Sequence, residues 1–128
     1  MADNAQLVRR WFQEVWNQAN ASVIDELMAA QCIAHGLIGE DGQELCGPTP
    51  YKEFHRKFMT EFPGLRVEVV DVLVDGDRTA ARCLVSGRHG ASDKPVSFTG
   101  MTIVRWQDGK IVEAWNNFDF HVMRQQLA

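Results

Sequence analysis

Three cysteines without a Cys-x-x-Cys pair leave this chain of 128 residues no basis for a disulfide framework. Cys32, Cys46 and Cys83 therefore read as reduced thiols in a cytoplasmic protein. No apolar run approaches the ~18 residues of a membrane-spanning helix, so a membrane is not expected as a partner. Positive charge is scarce: 13 Lys and Arg stand against 17 Asp and Glu, a net charge of −4. A nucleic-acid partner would call for a basic stripe, and that balance argues against one. The start, Met1-Ala2-Asp3-Asn4, has neither the charge nor the apolar stretch of a signal peptide. A nucleophile elbow, a phosphate loop and a dinucleotide fingerprint are all missing. The four histidines are not at metal-ligand spacing, so no metal site is expected.

What is present is ordinary globular material, 45% hydrophobic and 23% charged. A chain of this length reads as one domain over residues 1–128, burying roughly two-thirds of its unfolded surface. The first half reads as helical. Leu7, Val8, Trp11, Phe12, Val15 and Trp16 recur at three- and four-residue spacing, a wide apolar stripe. Ser22 and Asp25 resemble a capping box that opens a short second helix through Ile24, Leu27 and Met28. Thr49-Pro50 suits the start of a third helix, with Pro50 at its first position. Tyr51, Phe54, Phe58, Met59 and Phe62 would line one face of it, and Pro63-Gly64 would stop it. Residues 36–48 hold four glycines and the pair Glu40-Asp41, which predicts a surface loop or a lid.

The second half reads as β. Runs at 66–74, 78–89, 95–106 and 110–120 are β-branched or alternate, and Asp75-Gly76-Asp77 and Gln107-Asp108-Gly109 supply hairpin chemistry. Helices followed by an antiparallel meander predict an α+β domain. A curved sheet with helices on its concave side encloses a pocket where the facing residues are bulky without filling it. Trp11, Phe12, Trp16, Phe58 and Phe62 are such residues, and the alternative is that they are simply core. The last run is the most telling. It begins as a half-buried ribbon and ends with Asn116, Asn117 and Asp119 among Trp115, Phe118 and Phe120. Polar groups among aromatics cost stability unless something binds or reacts beside them.

Several segments together resemble the SnoaL-like polyketide cyclases, within the nuclear-transport-factor-2-like cone fold. They are Val8-Arg9-Arg10, Ile33-Ala34-His35-Gly36, Gly47-Pro48, Phe62-Pro63-Gly64 and Gly87-Arg88-His89-Gly90. Phe98-Thr99-Gly100, the stretch from Asp108 to Trp115, Asp119 and Gln125-Gln126-Leu127 complete the set, in order along nearly the whole chain. The resemblance implies a cone-shaped, curved antiparallel or mixed sheet of at most six strands. It further implies three helices, an internal hydrophobic pocket and a homodimer or higher oligomer. It also implies a cofactor-free, metal-free chemistry: intramolecular aldol closure of a polyketide ester. That reaction needs a base for the carbon between carbonyls and a donor for the enolate.

Counting from Asp108-Gly109-Lys110, the resemblance puts the family's catalytic aspartate at Asn116 and its partner histidine near Thr102. An amide is not a base at neutral pH. The acid/base candidates are then His35, expected to face the mouth of the cone, and Asp119. Asp119 reaches the pocket only if the strand end turns it back, and otherwise caps the C-terminal segment. Asn116 or Asn117 would orient a ligand carbonyl, since one of two successive strand residues points inward. The inward amide needs a partner: Thr102, a histidine or a ligand. His89 is a second polar candidate at the rim. Trp16, Phe12, Phe58 and Trp115 complete the ligand-binding set. His55 is expected to be exposed or packed. The function expected is cofactor-independent acid/base chemistry on a small hydrophobic carbonyl or ester. The alternatives are a non-catalytic small-molecule binder of the same fold and a dimerisation domain with a filled cone.

Overall fold

The computed structural model describes residues 3–128. Asp3 accepts a hydrogen bond from Ala5 N and caps the first helix, α1 (Asn4–Arg10). That helix continues as a π-helical stretch, Trp11–Asn17. Its carboxyl end shows the wider winding, with Gln18 N donating to Gln13 O at 3.0 Å. Trp11, Phe12, Val15 and Trp16 are all buried there, as their spacing predicts. Asn17 closes the stretch by acting as a strand neighbour. Its side-chain amide donates to Val67 O at 2.9 Å and its oxygen accepts from Val67 N at 2.6 Å.

The second helix, α2 (Ser22–Leu27), is not opened by a Ser22–Asp25 box. Asn20 Oδ1 takes that role, accepting from the Ser22 amide and hydroxyl at 3.2 and 2.6 Å. An Asx side chain two residues upstream reaches the free amide as well as a serine at the cap does. The third, α3 (Pro48–Glu61), starts at Pro48 rather than Pro50, behind Gly47. His55 on this helix is buried, and its Nε2 donates to Val15 O at 2.6 Å.

Six strands form one mixed sheet in the order β2-β1-β6-β5-β4-β3. β3 (Arg66–Asp75), β4 (Arg78–Arg88), β5 (Pro95–Gln107) and β6 (Lys110–Phe118) are the expected antiparallel meander. In the last hairpin Asp108 and Gly109 both have positive φ, 53° and 76°, a turn that matches the strand twist. β1 (Met28–Ile38) runs parallel to β6, and β2 (Glu44–Cys46) pairs antiparallel with β1. The expected loop at 36–48 thus includes the end of β1 and the whole of β2. Ala29, Ala30 and Gln31 have little β-propensity of their own; the seam with β6 and the burial of Cys32, Ala34 and Leu37 make the strand. Gly36 is required at this seam. With φ at +86°, a Cβ there would lie 2.0 Å from the Asn116 carbonyl oxygen.

A fourth helix, α4 (Phe120–Leu127), follows β6 and packs against β5. Gln126 pairs its side-chain amide with Ser97 N and O at 2.8 Å each, and Arg124 bridges to Glu61 at 2.8 Å. No helix among the described residues is long and apolar enough to cross a membrane.

Candidate functional site

The cone's interior is set by strand parity. On β5, Val96, Phe98, Gly100, Thr102, Val104 and Trp106 alternate inward without a break. On β6 the alternation is interrupted. Trp106 faces Ile111, but Arg105 faces Glu113, so the register slips by one residue between them. Inward positions then pass from Ile111 to Ala114, Asn116 and Phe118. Without that bulge Asn117 would point inward; with it, Asn116 does.

The cavity holds about 60 Å³ of free space between the sheet, the π-helical stretch and α3. Ligand pockets commonly run to ~300–1,000 Å³, so a multi-ring guest requires its walls to part. Trp11, Phe12, Trp16 and Tyr51 form the helical wall. Phe54, Phe58, Phe118 and Phe120 line the same space but stay half-exposed, which marks the mouth. Their rings touch in sequence, with centroids 5.8 Å apart for Phe54–Phe58, 5.9 Å for Phe58–Phe120 and 6.2 Å for Phe118–Phe120.

Asn116 and Thr102 are cross-strand partners, and both face this space. The Thr102 hydroxyl donates to Asn116 Oδ1 at 3.2 Å, and Asn116 Nδ2 donates to the His35 backbone carbonyl at 3.0 Å. A backbone carbonyl only accepts, so the amide nitrogen must face it, and the oxygen is left for the threonine. Among the described residues, no side chain lining the cavity is charged.

The other candidates lie elsewhere. His35, expected at the mouth, has its imidazole on the outer face of the sheet. There it is stacked 5.6 Å from Trp115 at an angle of 24°. Its Nε2 meets Glu113 at 2.7 Å and its Nδ1 meets Glu44 at 3.0 Å. The bonds to Glu113 and then Glu44 raise its pKa, and its partners hold theirs below the usual carboxylate range. His35 has the parity of Trp115, its neighbour on β6, and both point outward. Arg78 covers Trp115 at 5.6 Å. Asn117 belongs to an outer groove with Trp115. Asp119 caps α4, accepting from Val122 N at 3.0 Å. His89 contacts Glu61 at 3.2 Å and Ser92 at 2.9 Å, away from the cavity wall. Of the expected set, Trp16, Phe12, Phe58, Thr102 and Asn116 share the cavity.

Tyr51, the chain's one tyrosine, was hidden among the core positions of the α3 stripe. It lies edge-on to Trp11 and Trp16, at 5.3 and 6.3 Å between centroids. Burial pushes its phenol upward. Cys32 and Cys83 are buried, which pushes their thiols up to about 12 and about 11; neither is a ready nucleophile.

An unclosed, curved sheet wrapped around an apolar cavity, with helices over its concave side, defines a cone protein of the nuclear-transport-factor-2-like class. The chain matches the SnoaL-like polyketide cyclase family over residues 6–127 and belongs to it. Solved structures agree on the fold. IdmH of Streptomyces antibioticus, a proposed polyketide cyclase, is 24% identical with a TM-score of 0.86, over 98% of this chain and 99% of that one. A proposed polyketide cyclase from Bacillus cereus is 27% identical with a TM-score of 0.82, over 94% of this chain and 77% of that one. AclR of Streptomyces galilaeus, a proposed hydroxylase, is 23% identical with a TM-score of 0.82, over 99% and 96% of the two chains. Among proteins with curated functions, none matches. Neighbours proposed for different reactions on one fold leave the chemistry to the site itself.

Proposed function

We propose that this chain is a cofactor-independent enzyme of the polyketide cyclase type, acting on a small, neutral, hydrophobic carbonyl or ester compound in the cone. The observation that carries the reading is the Thr102–Asn116 pair, held in register inside an otherwise apolar cavity. Hydrogen bonding there polarises a carbonyl and acidifies the adjacent C–H, and the low-polarity surroundings strengthen the effect. His35 and Asp119 would each have to leave their present partners to act as the base. The Thr102–Asn116 pair supplies the donor for the enolate, and the carbon's proton goes to a water admitted with the guest or to His35 or Asp119 once released. The free space of about 60 Å³ means that Phe58 and Phe120 part to admit such a compound.

A second reading is a non-catalytic binder of the same compounds. It is favoured by Asn116, an amide where the family's acid is expected. One experiment separates the two. The purified protein is incubated with a linear aromatic polyketide methyl ester, and the mixture is followed by mass spectrometry. A ring-closed product whose formation rate falls about tenfold or more in Asn116→Leu supports the enzyme. Ligand retained unchanged by the wild type supports the binder. Loss of turnover in His35→Ala or Asp119→Asn, with Asn116→Leu still active, would return the base to those residues. The reading includes a homodimer, supported by Leu73, Leu84, Met101 and Ile103 lying exposed on the outer sheet face.

A further inference from the structure

We infer that Tyr51 is a ligand-binding residue whose phenol donates a hydrogen bond to the carbonyl oxygen of a neutral guest in the cone. The inference rests on the cavity reading above and adds a contact from the helical wall, opposite the sheet pair.

Thr102 has one hydroxyl proton, and it goes to Asn116. Asn116 spends one amide proton on the His35 carbonyl. The sheet side therefore keeps a single amide N–H to offer. Tyr51 faces the same space from α3 and is only 5% exposed. Trp11 and Trp16 pack edge-on against its ring, with centroids at 5.3 and 6.3 Å. An indole N–H only donates, so neither tryptophan can take the phenol's proton. What the phenol has left to give is its own proton. Burial keeps the phenol protonated, so it remains a donor across the working pH range.

The arrangement also selects the guest. Among the described residues no lining side chain is cationic, so a carboxylate would enter unpaired. A ketone, ester or lactone fits, with its carbonyl toward Tyr51 and its apolar body toward Phe58 and Phe118.

The test compares acetophenone with ethylbenzene, which has the same ring but no carbonyl. Affinities are measured by titration calorimetry. The carbonyl band of bound ¹³C-acetophenone is read by isotope-edited infrared spectroscopy. The wild type should prefer acetophenone by roughly threefold to tenfold, the range one hydrogen bond supplies. Its carbonyl band should lie below that in a hydrocarbon solvent. Tyr51→Phe should erase the preference and move the band back. Tyr51 is the only tyrosine, so growth on 3-fluorotyrosine alters that phenol alone. The more acidic phenol should lower the band further, a result that does not depend on the variant folding. Equal affinity for the two compounds, a preference that survives in Tyr51→Phe, or a band unmoved by fluorination would overturn the inference while the cavity reading stands. If neither compound binds the wild type, the cavity reading falls and takes this inference with it.

Discussion

Asn116 is the residue on which the site turns. Its amide is satisfied on both sides by Thr102 and the His35 carbonyl, so it is stable without carrying charge. Restoring the family's acid as Asn116→Asp would place a carboxyl in a cavity with no cation among the described residues of its wall. Desolvation raises such a pKa above its unfolded value, so stability relative to the wild type is lost as pH rises through the carboxylate range. Urea denaturation should show the variant less stable at pH 8 by roughly 1–3 kcal/mol, with a smaller gap at pH 5. His35 supplies a second residue-level prediction. Its pKa is raised from 6.5, so its contribution is full below that value and fades as pH rises through the folded pKa. Glu113 and Glu44 are lowered from 4.5, so theirs is full above that value and fades as pH falls through the folded pKa. His35→Gln should therefore cost most between pH 4.5 and 6.5 and progressively less above it, read from melting temperatures across pH. Buried His55 acts in the opposite sense, since its pKa is lowered by burial, but it is common to both proteins and cancels.

At the scale of elements, two local irregularities build the site. The slip between β5 and β6 decides that Asn116 rather than Asn117 faces inward. The tight crossing at Gly36 lets β1 run parallel beside β6, so that a main-chain carbonyl can hold the amide. α4 completes the mouth by placing Phe120 across Phe58 and Phe98. Asp119 caps that helix, and Asp119→Ala should cost about 1 kcal/mol. Hydrogen exchange should quicken across residues 120–127 and stay unchanged in the β4–β5 ladder. Turnover persisting in Asp119→Ala would mark the residue as structural.

For the whole molecule, the outer sheet face bears on assembly. Leu73 is 72% exposed and Met101 58%, next to Ile103 on one open surface. Met101→Lys combined with Ile103→Lys should turn a dimer into a monomer in sedimentation without lowering the melting temperature of the isolated protomer. A monomeric wild type would remove the dimer from the proposal.

Much of this architecture was legible in the residues. The apolar stripe from Leu7 to Trp16, the Phe-rich face of α3 and the Asp-Gly hairpins are short-range patterns, and each formed where its spacing required. The family resemblance was legible too. β1 and β2 were not, because Ala29, Ala30 and Gln31 become strand only through hydrogen bonds to β6, some eighty residues away. The site was half legible. Polar residues among aromatics at the end of β6 announced themselves by composition alone. Which of them faces the cavity depended on a one-residue bulge, and period-2 alternation cannot locate a bulge. Sequence by itself determined most of the helical apolar core, because burial there follows from side-chain chemistry and local spacing. Only the tertiary structure decided which polar groups meet inside. His35 and Asp119 were drawn to nearer partners outside the cavity, and Tyr51 joined the wall because packing against Trp11 and Trp16 holds it there.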